Sequence, residues 1–341
     1  MLTSAATKMN WISPLQLKRN GVLGMNQRNV RYISRYNNRR YYPLVDNKLT
    51  TKVVAERAGL SVPGLIAVVD TQHAVEQFRD SILDLDEFVA KPAQGSGGKG
   101  ILVITARNEQ GYIKASGDNV TVPQIRRHLT NTLSGLHSLG GRNDVAFIEE
   151  LVRINPYFDQ YSYEGVPDIR LIAFQGYPVM GMLRLATRES DGKANLHQGA
   201  IGVGLDIATG RAVQAVQHNR VVTHHPDSGA RLDDISIPNW SELLYLSARC
   251  YEATHLGYLG CDIVIDKDRG PLILELNARP GLSIQIANNA GLLPRLRLIE
   301  AQQSFHHQLS VPERVDYARE HFASHSQAEQ LELAIPSVQD A

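Results

Sequence analysis

Three polar side chains in the last third of the sequence are spaced to hold a divalent cation. Asp262 and Glu275 lie in two apolar stretches joined by the turn-forming run at 267–270, which predicts a β-hairpin. With the turn centred between residues 268 and 269, Asp262 lies directly opposite Glu275. Asn277 projects from the same face as Glu275, because side chains alternate along a strand.

Two carboxylates facing each other across a hairpin, about 5 Å apart, repel and destabilise it unless a cation lies between them. An all-oxygen set of Asp, Glu and Asn suits Mg²⁺ or Mn²⁺. The same register pairs Val264 with Ile273. It also directs the side chains of four apolar residues of the hairpin towards a core: Ile263, Ile265, Leu274 and Leu276.

A glycine-rich loop supplies a second chemical signal. Lys91 precedes it, and Gly95, Gly97, Gly98 and Gly100 allow backbone N–H groups to approach phosphate oxygens closely. The spacing is that of neither a P-loop nor a dinucleotide-binding fingerprint, and a strand follows the loop. The composition predicts a flap over a nucleotide, although an ordinary flexible hairpin turn has the same composition.

The elements around these residues can be read from apolar periodicity and end signals. Helices are predicted after the caps at 46–47 and 70–71, from Pro123, and over 240–254. Strands are predicted at 65–69, 88–91, 101–105, 146–148, 169–174, 178–187, 261–266 and 271–277. This pattern indicates an α+β fold with two lobes and a ligand site in the cleft between them.

We divide the chain into four parts on this pattern. A basic, Tyr- and Arg-rich segment covers 1–46, a smaller lobe with the glycine loop covers 47–149, and a larger lobe with the acidic hairpin covers 150–305. A polar tail, helical or irregular, covers 306–341.

Composition excludes several classes of protein. The formal net charge is +0, which argues against nucleic-acid binding by bulk charge, and two cysteines cannot form a disulfide scaffold. No apolar run is long enough to span a bilayer, and the N-terminus lacks the apolar stretch of a signal peptide. The expected location is the cytoplasm.

The first 45 residues hold eight Lys or Arg and no Asp or Glu. Two interpretations remain open for this basic segment, whose arginines alternate with tyrosines. It could contact an anionic ligand, a protein partner or a membrane surface, or it could pack over its own domain.

The acidic hairpin and the glycine loop, in this order, resemble the ATP-grasp superfamily. The sequence is most similar to bacterial α-L-glutamate ligase-like proteins, which are related to the ligases that add glutamate to a ribosomal protein. The likeness runs from about residue 46 to residue 293. It rests on the motifs D-N-K-L at 46–49, V-A-K-P at 89–92, F-I-E-E-L-V at 147–152, D-I-R at 168–170, K-A-N-L-H-Q-G at 193–199, G-C-D-I at 260–263 and L-E-L-N-A-R-P-G at 274–281.

The resemblance implies roles for particular residues. Asp262, Glu275 and Asn277 would bind Mg²⁺ (or Mn²⁺), and Arg184 or Arg279 would stabilise an oxyanion. The residues that it implies for ATP binding are Lys48, Lys91, Gly95, Ser96, Gly97, Gly98, Lys99, Gly100, Glu149, Glu150, Leu151, Asp168, Lys193 and Asn195. Among these, the backbone of Glu149 and Leu151 would face adenine.

The resemblance further implies an ADP-forming ligase. ATP would activate a carboxylate as an acyl phosphate, and an amine would then displace the phosphate. The substrates would be a small-molecule or peptide carboxylate and an amine, for example glutamate. A phosphotransferase or a non-catalytic nucleotide-binding module would share the same ATP site. ATP-grasp ligases commonly carry a full α/β domain before the first lysine motif, whereas only about 46 residues precede it here.

Overall fold

The computed structural model describes residues 13–82, 85–95, 97–302 and 309–324. Within these ranges the chain forms two sheets of antiparallel strands with helices packed against them. The predicted α+β class is confirmed. Two hydrophobic cores, one for each sheet, hold the elements in place.

The smaller sheet has six strands in the order β1-β6-β2-β3-β4-β5. Their bounds are β1 Leu65–Val69, β2 Phe88–Pro92, β3 Leu102–Asn108, β4 Gly111–Lys114, β5 Asn119–Val120 and β6 Ala146–Glu149. The helices Gln72–Ile82 and Val122–Leu133 accompany this sheet. Thr121 begins the second helix with a capping box to Gln124, which satisfies backbone N–H groups of the first turn.

The larger sheet has seven strands in the order β11-β10-β9-β8-β7-β12-β13. Their bounds are β7 Asp168–Phe174, β8 Tyr177–Leu185, β9 Ile201–Leu205, β10 Ala212–Gln217, β11 Arg220–Val222, β12 Tyr258–Asp266 and β13 Gly270–Asn277. The predicted helix over 240–254 is present as Trp240–Thr254 and packs on this sheet.

The sequence analysis placed no strand between residues 187 and 240, where β9, β10 and β11 lie. The apolar residues of β9 alternate with Gly202 and Gly204, which weakens the strand signal. The structure gives the reason for Gly204: an added Cβ would lie 2.3 Å from the carbonyl oxygen of Ala287. Glycine here lets the short helix Ile284–Ala287 pack closely on the sheet.

Residues 13–46, which we call the N-terminal segment, fold as a series of short helical turns. Their bounds are Pro14–Arg19, Met25–Gln27, Arg28–Ile33, Ser34–Tyr36, Arg39–Tyr41 and Pro43–Asp46. Tyr32 and Ile33 are buried in the core of the larger sheet. The tyrosines of this segment therefore pack over the protein's own larger lobe.

The helix Lys48–Arg57 follows and begins where predicted, because the Asn47 side chain accepts a hydrogen bond from the Thr50 N–H at 3.0 Å. Its buried Ala55 belongs to the larger core. The remaining helices are Leu293–Ala301 and Val311–His321, with 3₁₀ turns at Leu139–Gly141, Pro156–Phe158, Leu196–Gln198 and Leu232–Asp234. None of the helices that the structure describes combines the length and the apolar character required to cross a membrane.

Candidate functional site

The hairpin of β12 and β13 brings the three candidate metal ligands together. Asp262 pairs directly with Glu275, as the sequence predicted. Asn277 lies on the same face, and its Nδ2 donates a hydrogen bond to Asp262 Oδ2 at 3.2 Å. Near the turn Asp266 pairs with Gly270 and Ile263 with Ile273, so an unbroken ladder would place Asp262 opposite Leu274. One extra residue in β13 brings Glu275 to that position instead.

The predicted register is wrong between this pair and the turn of the hairpin. A shift between Asp262 and Ile263 makes Ile263, and not Val264, the partner of Ile273. The shift is a β-bulge at Leu274, which changes where that side chain points. Leu274 was predicted to enter the core, but it is half-buried and lines a cavity between the two sheets.

Two arginines bind the Asp262 carboxylate. Arg170 lies beside it on β7 and donates from Nε at 2.7 Å and from Nη2 at 2.5 Å. Arg184 on β8 reaches the same carboxylate at 2.9 Å and also binds Asp168, its partner in register. These four residues form one continuous charged row across three neighbouring strands.

The pKa values of the two aspartates in this row are shifted in opposite directions. Burial raises the pKa of Asp168 to about 6, against the opposing effect of Arg184. Burial also acts to raise the pKa of Asp262, but the guanidinium groups of Arg170 and Arg184 outweigh it and hold the pKa at about 2. Asp262 forms ion pairs with two arginines, Arg170 and Arg184, whereas Asp168 forms one with Arg184. The ionised form is therefore more strongly favoured at Asp262.

A second charged cluster lies on the smaller sheet. The buried carboxylate of Glu149 on β6 binds Lys91 of β2 and also Lys52 of the helix Lys48–Arg57, the latter at 2.7 Å. Burial lowers the pKa of Lys52, and the charge of Glu149 opposes this effect. Lys52 was not among the predicted residues. Its spacing of four from Lys48 places both on one helix face, and this was the signal that could have found it.

Lys48 connects the two sheets. Its Nζ lies 3.2 Å from Glu275 Oε1 on the larger sheet. It also donates to the carbonyl oxygen of Gly95, in the glycine loop that follows β2 of the smaller sheet, at 2.8 Å. Beside it is a cavity of about 110 Å³ whose walls include Lys91, Phe147 and Leu274. The predicted phosphate-binding lysines and the candidate metal ligands therefore meet in one cleft.

The glycine loop joins β2 to β3 next to this cleft. Gly97, Gly98 and Gly100 have positive φ angles of 62°, 76° and 77°, which glycine adopts without strain. An added Cβ at Gly97 or Gly98 would meet no atom within 4 Å, so the tip of the loop is open. Lys99 is exposed, and Ser96 lies outside the described residues.

Glu150 and Leu151, which the resemblance implies for ATP binding, contact the turn of the acidic hairpin. Arg269 binds the Glu150 carboxylate and donates from Nη2 to the Leu151 carbonyl oxygen at 3.3 Å. Glu150 also accepts a hydrogen bond from the Gly64 N–H at 3.2 Å. These contacts fasten the two lobes to each other behind the cleft.

Three other predicted residues have contacts outside the charged clusters. Lys193 pairs with Asp191 of its own loop at 2.9 Å. Asn195 caps a 3₁₀ turn by accepting a hydrogen bond from the His197 N–H at 3.0 Å. The guanidinium of Arg279 lies over the ring of Tyr42, 5.2 Å from its centroid.

The donor set fits a hard cation. In the described ranges, no three His, Cys, Asp or Glu side chains come together as a metal site, so the candidate set consists of two carboxylates and the amide of Asn277. Among the described residues, the two charged clusters together with the Lys48–Glu275 pair comprise five cations and four anions, an excess of one positive charge that suits a polyanionic ligand. They are Lys48, Lys52, Lys91, Arg170 and Arg184, with Glu149, Asp168, Asp262 and Glu275.

Comparison with known proteins identifies a family for this chain. The model of the family described as "sugar-transfer associated ATP-grasp" matches residues 27–301. No curated protein matches the sequence.

Several solved structures are similar to the chain. It is 17% identical to the ATP-grasp ligase PsnB complexed with minimal precursor, over 79% of this chain and 63% of that one, with a TM-score of 0.43. It is 16% identical to the D-cycloserine synthetase DcsG (76% and 71% covered, TM-score 0.42). It is 10% identical to D-alanyl-alanine synthetase A from Vibrio cholerae (83% and 66% covered, TM-score 0.44). The chain thus spans less than two thirds of the length of PsnB, another structure of which holds Mg and ADP.

Proposed function

This chain belongs to the sugar-transfer associated ATP-grasp family, and from that premise we propose that it is an ATP- and Mg²⁺-dependent ligase joining a carboxylate to an amine. The superfamily predicted from the motifs is thereby confirmed. The narrower likeness to α-L-glutamate ligase-like proteins stays a prediction.

One observation carries the proposal: Lys48 links the glycine loop to the acidic hairpin across the cleft. Its ammonium contacts Gly95 on one side and Glu275 on the other. A triphosphate with its cation needs cationic groups, backbone donors and oxygen ligands within a few ångströms of each other. Lys48 would supply the cationic group, the loop the backbone donors and the hairpin the oxygen ligands.

In this proposal Lys48 and Lys91 bind the phosphates, and the loop from Gly95 to Gly100 covers them. Asp168, Lys193 and Asn195 support the phosphate end, and residues 149–151 face the base. Asp262, Glu275 and Asn277 hold Mg²⁺ (or Mn²⁺), which neutralises phosphate charge when bound. Arg170, which the sequence analysis did not single out, fixes the orientation of Asp262 through two hydrogen bonds.

The proposed reaction has two steps. The substrate carboxylate attacks the γ-phosphorus, the bond to the β-phosphate oxygen breaks, and ADP leaves. The amine then attacks the acyl carbon of the acyl phosphate, phosphate leaves, and the amine loses a proton to give an amide. Arg184 or Arg279 stabilises the oxyanion that forms at the acyl carbon. The closed loop keeps water from the acyl phosphate.

The substrates are tested by measuring ADP release with MgATP across paired carboxylates and amines. The panel includes glutamate, other amino acids and short acidic peptides, together with amino sugars and sugar acids because the family is described as sugar-transfer associated. Stimulation by one pair with a product of the condensed mass supports the ligase. Stimulation by a hydroxyl compound, with phosphate transferred to it, would replace the ligase by a phosphotransferase.

The metal site is tested by Glu275→Ala. We expect this variant to lose metal-dependent ADP release by about a hundredfold or more, because one oxygen ligand is gone. It should keep the wild-type fold, since the Glu275 side chain is 38% exposed. Glu109→Ala removes an exposed glutamate of the turn between β3 and β4 and is the control. Wild-type turnover in Glu275→Ala would reject the site.

A further inference from the structure

The N-terminal segment is attached to the loop that follows the acidic hairpin. Arg28 Nη1 donates to the carbonyl oxygen of Pro280 at 2.7 Å, and Asn37 Nδ2 donates to that of Ala278 at 3.3 Å. The stacking of Arg279 on Tyr42 adds a third point of contact. The segment thus occupies a fixed place next to the candidate metal ligands.

A pocket of about 310 Å³ lies between the segment and this loop. Arg28, Arg39 and Arg279 line it together with Asn29 and Ser34, and no Asp or Glu is among the described residues of its wall. Within the described residues, Arg28 donates to the neutral oxygens of Asn29 and Pro280. By contrast, Arg35 of the same segment lies 3.6 Å from Glu300, outside the pocket.

Three guanidinium groups around a small space repel one another, and a bound anion reverses the sign of that energy. Guanidinium binds carboxylate and phosphate through paired hydrogen bonds. A single carboxylate offsets one of the three charges, whereas a phosphate ester near neutral pH offsets up to two. The charge of this pocket therefore favours a phosphate group.

The pocket is close to the proposed chemistry. Arg279 follows Asn277 by two residues, so their Cα atoms are at most about 7 Å apart. We propose that this arginine pocket binds a phosphate group of the substrate that condenses in the cleft, so that the N-terminal segment is a substrate-binding element. This inference rests on the ligase proposed above. It names a phosphorylated amine or a phosphorylated carboxylate as the substrate class.

The phosphate has two chemical sources. Arg28 also borders a large groove of about 1240 Å³ whose wall is mainly apolar and includes Met25, Leu282 and Ile286. The phosphate could belong to a soluble ester or to a compound with an apolar chain that extends into this groove. Inorganic phosphate and monomeric decyl phosphate are probes that distinguish the two sources.

The test is calorimetric titration of each probe into the full chain saturated with MgADP, at constant ionic strength. We expect saturable binding that Arg39→Gln weakens about tenfold, the effect of one charge-assisted hydrogen bond. Arg40→Gln removes the same charge from the neighbouring residue, which does not line the pocket, and should change the affinity less than about twofold. Both variants should bind MgADP as the wild type does.

Each outcome has a defined meaning. Equal affinity for the two probes assigns the pocket to a soluble ester, and tighter binding of decyl phosphate assigns it to a compound with an apolar chain. No saturable binding, or binding that Arg39→Gln leaves intact or that Arg40→Gln weakens equally, overturns the inference. Failure of the wild type to bind MgADP would instead reject the proposed function, and it is measured separately on the same protein.

Discussion

Glu149 and Glu150 are neighbours in the chain with opposite surroundings. The side chain of Glu149 is 4% exposed and binds two lysines, whereas that of Glu150 is 52% exposed and binds Arg269 at the surface. The strand β6 ends at Glu149, so its side chain still points into the protein. A buried carboxylate between two ammonium groups fixes their positions, and Lys91 is thereby held ready for an anionic ligand.

At this scale we predict that Glu149→Gln lowers the free energy of unfolding by about 3 kcal/mol, because it leaves the buried Lys52 without a counter-charge. Glu150→Gln is the matched change in the next residue, and its exposed pair should contribute less than about 1 kcal/mol. Urea unfolding measures both. Equal effects of the two substitutions would contradict the structural role assigned to Glu149.

The loop between β2 and β3 has a shape that requires glycine at several positions, because their φ angles are positive. Gly98 has a φ of 76° and no neighbouring atom within 4 Å of an added Cβ. A side chain at Gly98 would make the positive φ angle less favourable without clashing with any neighbouring atom. The ends of the loop are held, since Gly95 accepts a hydrogen bond from Lys48 and Gly100 one from His128, whereas the tip at Gly97 and Gly98 has space around it, which suits a tip that moves over a ligand.

We predict that Gly98→Val lowers kcat/KM for ATP about tenfold, because a β-branched residue strongly disfavours positive φ. Gly98→Asn should remain within about threefold of the wild type, since asparagine adopts this conformation more readily. Melting temperatures should be the same for both, because the tip is open. If the two variants had equal kinetic effects, the left-handed conformation of Gly98 would not matter for the reaction.

At the level of the whole molecule, the N-terminal segment is part of the larger lobe's core. The Tyr32 ring is buried, with its centroid 5.6 Å from that of Phe174 and 6.3 Å from that of Tyr258. Tyr36 OH donates to Glu300 at 2.7 Å. Of the two interpretations left open by the sequence, the structure shows the packing of the segment over its own domain. Contact with an anionic ligand stays a prediction, which the pocket lined by Arg28 and Arg39 makes specific.

We predict that Tyr32→Ala lowers the free energy of unfolding by about 3–5 kcal/mol through loss of buried aromatic contacts. Arg31→Ala changes the exposed neighbouring residue and should cost less than about 0.5 kcal/mol. Denaturant unfolding of the full chain measures both. An unchanged stability of Tyr32→Ala would show that the segment is not part of the cooperative unit.

The sequence by itself determined the elements and contacts that depend on near neighbours. Asp262 and Glu275 are joined by a short turn, so the sequence predicted that they lie in one hairpin, whereas their direct pairing also requires the bulge at Leu274. The helix Lys48–Arg57 follows from its Asn47 cap, and the helix Trp240–Thr254 follows from apolar periodicity. The resemblance of its motifs, in their order along the chain, also led to the ATP-grasp superfamily, which the family match confirms.

Only the tertiary structure decided which charged side chains, distant in sequence, form ion pairs with each other. Arg170 binds Asp262 from 92 residues away, and Lys52 and Lys91 meet at Glu149 because a helix and two strands converge there. The bulge at Leu274 and the packing of Tyr32 likewise depend on partners from other elements. Local sequence cannot specify such contacts, since strand order and lobe packing result from burying apolar surface across the whole chain.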